Sequence, residues 1–267
     1  MPEGPEVAVY ADYIRACILD KYICGIAITR YNRSNKDSFE STKKFPSKVI
    51  EVVSSAKKIF IITEDYVLQS SLIMTGSWGY GESKHNRLYL IIGTYHGNSF
   101  VRERNFHFRD VDGKGWLHML SLSEYSTKRK KSPPCLMNDE VSLETFQSCL
   151  MKVQHQMIGI AIHDAKVIGG IGNYLRAEIL YDAGISPRRY VHSLLDEEWE
   201  KLWESSIRII KESYRSYGCE IRDYKSPIEK GTFQLQIKVY GKKGNGVIAE
   251  KIDGDGQTMY WNPQVQK

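Results

Sequence analysis

The sequence predicts an α+β chain in which a β-rich half precedes a helical one, and three observations carry that reading. From Lys21 to about Met119 the chain is a succession of short β-rich runs separated by turn residues. From Ser142 apolar residues recur at helical spacing. After Pro227 strand-like runs return, with a glycine-rich stretch, Gly241 to Gly256, between two of them. At 267 residues the chain is long enough to bury a substantial core, and its length suggests two domains.

Taken in order, the first element is a helix from Val7 to about Leu19, with Val7, Tyr10, Ile14 and Leu19 on its apolar side. The runs ICGIAITRY, KVIEVVSS, KKIFIITE, YVLQSSLI and RLYLIIGTY follow as strands of a sandwich or barrel. Ser126–Pro134, STKRKKSPP, is basic, lacks apolar residues and ends in two prolines, which reads as a solvated linker. Whether Lys128–Lys131 also touch phosphate stays open. Three helical runs come next: LETFQSCLMKV, AKVIGGIGNYLRAEILYDAGI and SLLDEEWEKLWESSIRIIKESY. Ser142 and Ser193 are placed as N-caps of the first and last. FQLQIKVYG, from Phe233, reads as a strand with QTMYW, from Gln257, as its partner.

Charge and cysteines narrow the function classes. The net charge of +5 favours a polyanionic partner only weakly. Five scattered cysteines without a CxxC pair argue against a disulfide framework and against a thiolate zinc site, and suit a reducing compartment. No apolar stretch approaches the roughly 18 residues that span a bilayer, and MPEGPEV lacks the regions of a signal peptide. The expectation is an intracellular protein with no membrane partner.

The second residue carries the chemistry. Removal of Met1 exposes Pro2 as a secondary α-amine, whose pKa of about 7.7–8.0 leaves far more of it neutral near pH 7 than a lysine. Such an amine attacks a carbonyl-like carbon and forms a Schiff base. On a deoxyribose C1′ the attack expels the base, and the resulting iminium acidifies the C2′ protons, so strand cleavage by β-elimination follows. Glu3 and Glu6 lie beside it in sequence as carboxyl groups able to shuttle protons.

The string MPEGPEV resembles the start of the formamidopyrimidine-DNA glycosylase/endonuclease VIII (Fpg/Nei) family, and further blocks recur in the family's order. The resemblance implies an N-terminal β-sandwich domain flanked by helices over 1–131, a helix-two-turns-helix domain over 132–225 and a hairpin finger over 226–267. SSAKKIF resembles the segment with the family's catalytic-site lysine, aligned to Lys57 with Lys58 one step off, whose implied role is to hold a phosphate beside the lesion. MTGS resembles the loop whose methionine, here Met74, enters the stack as the damaged base leaves. KVIGGIGNYLRAEILYDAGISP resembles the helix-two-turns-helix signature almost residue for residue. Gly169, Gly170 and Gly172 permit a tight turn before a helix starting near Asn173, and N–H groups at such a start are an anion site. Asn173 matches the phosphate-binding asparagine, and Glu178 a carboxylate near the N-terminal amine. A dinucleotide-binding reading of GGIGNYL is rejected, because the third glycine and the preceding strand are missing.

The chain also departs from the pattern. No cysteine follows Cys219, so the finger resembles the zinc-less finger of the Nei-like branch, with Trp261 near a former cysteine position, and neither metal nor cofactor is expected. Gln257 aligns with the finger's arginine, with Lys242, Lys243 or Lys251 as compensating cations. In FRDVDGKGWLHM, Asp110 matches, but Gly113 and Lys114 occupy the wedge positions, which suggests relaxed preference for the base opposite the lesion. The resemblance thus implies a bifunctional glycosylase/AP lyase, acting as a monomer on damaged double-stranded DNA, with single-stranded DNA an open alternative. Oxidised pyrimidines (thymine glycol, 5-hydroxyuracil), ring-opened purines and abasic sites are the implied substrates. Two alternatives stay open: an 8-oxoguanine-preferring enzyme of the Fpg type, and a non-catalytic helix-two-turns-helix nucleic-acid-binding protein.

Overall fold

The computed structural model describes residues 1–30, 44–97, 99–219, 224–228, 234–252 and 256–267. They form two compact units: one of Met1–Pro2, Glu6–Lys131 and Cys219–Lys230, the other of Glu3–Pro5, Ser132–Gly218 and Gly231–Lys267. Helix α1 (Gly4–Ile18) opens the chain. Val7, Tyr10, Ala11, Ile14 and Ile18 are its core positions, whereas Leu19, expected on that face, lies past the helix end and is exposed. Among the described residues no helix is long and apolar enough to cross a membrane.

In the first unit nine antiparallel strands are hydrogen-bonded in one path: β1 (Tyr22–Ile28), β2 (Ser47–Ser55), β3 (Lys58–Thr63), β4 (Val67–Ser71), β5 (Ser77–Tyr80), β6 (Asn86–His96), β7 (Ser99–Arg102), β8 (Phe106–Arg109) and β9 (Trp116–Leu120). Their order is β5-β8-β6-β1-β2-β3-β4-β9, with β7 added to β6. Among the described residues, the two halves of this path meet strand to strand at the pairs Tyr22–Lys48 and Ile23–Ser47. That short seam lets the halves face each other. Leu88, Leu90, Ile92, Phe106 and Phe108 from one half share a single core with Val52, Ile59, Ile61 and Leu68 from the other, closed by α1. Truncating such a residue to alanine costs about 2–5 kcal/mol. Of the two readings, this is a sandwich.

The expected linker is helical instead. Helix α2 (Leu122–Lys131) includes Ser126–Lys131 although none of its residues is buried. Its start explains it: Ser121 N–H donates to Glu124 Oε2 (2.7 Å) and Glu124 N–H to Ser121 Oγ (3.2 Å), a reciprocal capping box. Lysine and arginine propagate helix well, and cations in the last turn offset its dipole.

The second unit holds α3 (Leu143–Met151), the single turn α4 (Ile158–Ala161), α5 (Asn173–Asp182), a 3₁₀ turn (Val191–Ser193), α6 (Asp196–Arg215) and the hairpin β10 (Ile248–Lys251)–β11 (Thr258–Trp261). Ser142 caps α3, accepting from Thr145 N–H. Ser193 does not cap α6. It belongs to the 3₁₀ turn, its hydroxyl donates to Tyr190 O, and Glu198 accepts the N–H of Leu195 at the helix start instead. The expected strand from Phe233 is absent over the described residues 234–240, and the partner of QTMYW is β10, in register Ile248–Trp261 through Lys251–Thr258.

Candidate DNA-processing site

The second unit places one carboxylate at the start of a helix. Gly170 turns the chain at φ +95°, and Gly172 stands at the N-cap of α5. A helix start leaves N–H groups unsatisfied and carries positive charge. Here Glu3 fills it: its Oε2 accepts from Gly172 N–H (2.7 Å) and Leu175 N–H (3.2 Å), and its Oε1 from Tyr174 N–H (3.0 Å). Gly4 N–H adds a bond to Gly170 O at 2.8 Å. The anion site read into this turn therefore holds a carboxylate of the chain itself. Glycine is required twice over, since a Cβ at Gly172 would lie 2.1 Å from Glu3 Cδ and one at Gly4 would lie 2.9 Å from Gly170 O.

Asn173 is held at both ends of its amide. Its Nδ2 donates to Thr258 O (3.0 Å), and its Oδ1 accepts from Arg176 Nε (2.9 Å) and Nη2 (2.7 Å). Arg176 is fully buried and also donates Nη1 to Gly159 O at 3.0 Å. The bond to Thr258 sets the start of β11, and with it the preceding, exposed Gln257, beside Asn173. Sequence reasoning missed Arg176; the available signal was an arginine inside an otherwise apolar helical face, one turn after Asn173.

Glu178, 3% exposed, accepts three backbone N–H groups, from Lys238 (2.7 Å), Val239 (3.0 Å) and Tyr240 (2.8 Å). Those donors are spent on a carboxylate, which is why 234–240 forms no strand. The segment leads directly to Lys242 and Lys243, both exposed. In the hairpin, Met259 and Trp261 pack with Ile252 in a small core.

In the first unit Pro2 is buried, one residue before Glu3. Glu6, 1% exposed, accepts the N–H of Cys219 at 2.8 Å, across 213 positions of chain. Lys57 is half-buried at the tip of the β2–β3 hairpin, whose two-residue turn, closed by the pair Ser55–Lys58, has Ala56 at φ +52°. Met74 is half-buried in the turn between β4 and β5. There Gly76 N–H bonds Leu72 O (2.9 Å), and a Cβ on Gly76 would lie 2.4 Å from that oxygen. This turn is tied to the Asp110–Gly115 loop. Thr75 donates its hydroxyl to Asp110 Oδ1 and accepts Asp112 N–H at 3.1 Å, while Asp110 Oδ2 accepts Gly115 N–H at 2.6 Å.

The comparisons with known proteins follow the same division. The N-terminal domain of formamidopyrimidine-DNA glycosylases matches residues 1–111, and their H2TH domain matches residues 134–224. This chain belongs to the formamidopyrimidine-DNA glycosylase/endonuclease VIII family. Among its relatives is the formamidopyrimidine-DNA glycosylase of Streptococcus pneumoniae, 29% identical, with 100% of this chain and 99% of that protein covered. The enzyme of the same name from Carboxydothermus hydrogenoformans is 27% identical over the full length of both. The fold is shared with Lactococcus lactis Fpg, solved with DNA containing an abasic site (TM-score 0.83, 23% identity, 99% of each chain). It is shared also with MutM (Fpg) of Thermus thermophilus (TM-score 0.82, 22% identity, 99% of this chain and 98% of that one). Within the Fpg/Nei family the expected fold class, sheet domain followed by helix-two-turns-helix domain and β-hairpin, holds for this chain.

Proposed function

We propose that this chain is a bifunctional DNA glycosylase/AP lyase of base excision repair that acts through a Schiff base at Pro2. The observation that carries the reading is the anchoring of Glu3, covalently next to Pro2, by three N–H groups of the α5 start. A flexible N-terminus is a poor nucleophile because every attack must first order it, and pre-organisation removes that cost. Once Met1 is gone, the Pro2 nitrogen attacks C1′ and loses its proton, and the glycosidic electron pair leaves with the base, which takes up a proton. The C1′–O4′ bond then opens to the iminium as O4′ is protonated. The iminium then loses a C2′ proton and expels the 3′-phosphate, and a second elimination expels the 5′-phosphate. Glu3 positions Pro2 and handles the proton, with Glu6 and Glu178 as supporting carboxylates. Lys57, Lys242 and Gln257 grip the phosphates of damaged DNA, Gly172 and Asn173 support that grip by seating Glu3 and the start of β11, and Met74 fills the gap left by the extruded base. On this reading 1–131 is the catalytic domain, 132–225 the helix-two-turns-helix domain and 226–267 a finger that works without zinc.

The substrates we assign are oxidised pyrimidines (thymine glycol, 5-hydroxyuracil) and ring-opened purines, on the strength of a finger without cysteines and of Gly113 and Lys114 at the wedge positions. The names of the relatives favour an Fpg-type preference instead. Parallel excision of thymine glycol, formamidopyrimidine and 8-oxoguanine separates the two; faster removal of 8-oxoguanine than of thymine glycol decides for the second. The mechanism is tested by borohydride trapping on duplex DNA containing thymine glycol. The native N-terminus is expected to give a covalent complex that an N-terminal extension abolishes and Pro2→Gly weakens. DNA that binds without trapping leaves the non-catalytic alternative standing.

A further inference from the structure

Outside the residues assigned above, the first unit carries a dense basic surface that the reaction does not require. Lys128, Arg129, Lys130 and Lys131 are consecutive at the end of α2, whose only carboxylate, Glu124, is engaged at the opposite end by Ser121. The helix is fastened to the β2–β3 hairpin and its neighbour: Arg129 donates to Ser55 Oγ, and Lys128 Nζ to Gln69 Oε1 at 3.4 Å. Ser55 pairs with Lys58, so the end of α2 lies against the hairpin that presents Lys57 and Lys58. Six cations thereby come from the end of α2 and the hairpin it is fastened to. Lys58, Lys130 and Lys131 are exposed. The Lys58 ammonium is held below the usual lysine range, first by partial desolvation and then by the charge of Lys128, as expected where like charges crowd.

A helix gains from a cation or two in its last turn, but four in succession repel one another and the two on the hairpin. A polyanion relieves that repulsion, and a phosphodiester backbone does so while releasing its counterions. We propose that the end of α2 is a second phosphate-binding platform, continuous with Lys57, which holds the DNA backbone away from the lesion. The proposal rests on the glycosylase reading above, because it takes the strand held at Lys57 as the one that continues across Lys130 and Lys131. Contacts of this kind carry no sequence information; they set affinity, register and salt dependence.

The test is the salt dependence of binding to a duplex with a stable abasic analogue, compared for the native chain, K130Q/K131Q and K130R/K131R. Each lost phosphate contact makes the slope of log affinity against log salt shallower by about 0.9, so the glutamine pair is expected to flatten it by roughly 1.8. The arginine pair is expected to keep the native slope, which separates loss of charge from damage to the helix. A native slope in K130Q/K131Q overturns the platform, as does an arginine pair that behaves like the glutamine pair. Failure of the underlying reading looks different: the native chain then traps no complex with borohydride, whatever the slopes.

Discussion

Glu3 and Gly172 are fitted to each other so closely that a single methyl group on residue 172 would stand 2.1 Å from the Glu3 carboxyl carbon, the same group that accepts the Gly172 N–H at 2.7 Å. The backbone at 172 is extended (φ −120°, ψ −159°), so alanine meets no torsional obstacle there. The obstacle is the carboxylate alone.

Gly172→Ala is therefore expected to expel Glu3 from the α5 start and leave buried N–H donors unsatisfied, at about 1–3 kcal/mol. Thermal unfolding checks the stability, and borohydride trapping checks whether Pro2 is misplaced with its neighbour. A variant that keeps native stability and native trapping would refute the anchoring argument.

Glu178→Gln should loosen the segment before Lys242. The amide keeps one acceptor oxygen but turns an NH₂ toward N–H donors of Lys238, Val239 and Tyr240. About 1.4 kcal/mol lost there corresponds to tenfold faster local opening. Hydrogen exchange at those three amides is the measurement, with the amides of α6 as an unaffected reference. Equal protection in both proteins would mean that the carboxylate does not hold this segment.

What could be read from the residues and what could not divides along one physical line. Helix α5 and the Ser142 cap were legible because their signals are local: glycines before a helix, and a serine three residues before the N–H it accepts. The strand expected from Phe233 failed because its donors pair with Glu178, about 60 residues earlier, and no periodicity records such a partner. The same holds for Glu3, whose acceptance of helix N–H groups 169 to 172 positions away fills the expected anion site from within the chain. The α2 helix was hidden differently: it has no apolar face, and only its capping box, Ser121 to Glu124, marks it. Ser193 shows that a serine before an acidic helix start is not sufficient, since Arg189 and Tyr190 engage its side chain.

The start of α6 gives a pH prediction. Glu198 accepts both Nη groups of Arg189 (2.9 and 3.0 Å) and the Leu195 N–H. Its carboxyl is held below the usual range, chiefly by Arg189. A depressed folded value means that the stabilisation is complete above the ordinary carboxylate pKa, about 4.3, and is lost as pH falls through the lower, folded one. Glu198→Gln should be less stable than the native chain at pH 7, with the difference shrinking as pH falls below about 4. Denaturant unfolding at several pH values checks this, and a gap independent of pH would rule out the ion pair as its source.

The Met74 turn supplies the sharpest functional separation. Thr75 links it to the neighbouring loop by giving its hydroxyl proton to Asp110 and accepting the Asp112 N–H, while Asp110 itself is 1% exposed. Thr75→Val keeps the shape and removes both bonds, leaving a buried carboxylate oxygen without that donor at a cost of about 1–3 kcal/mol. For a unit of this size that is a fall of roughly 2–4 °C in Tm per kcal/mol. If Met74 fills the space of an extruded base, loosening its turn should slow removal of thymine glycol, which must leave the stack, by about tenfold or more for 1.4 kcal/mol of lost wedge contact. Cleavage at a pre-formed abasic site has no base to extrude and should slow much less. Single-turnover rates on the two substrates decide the matter: equal slowing on both places Thr75 in general stability, and selective slowing of base removal ties the Asp110 clamp to the wedge.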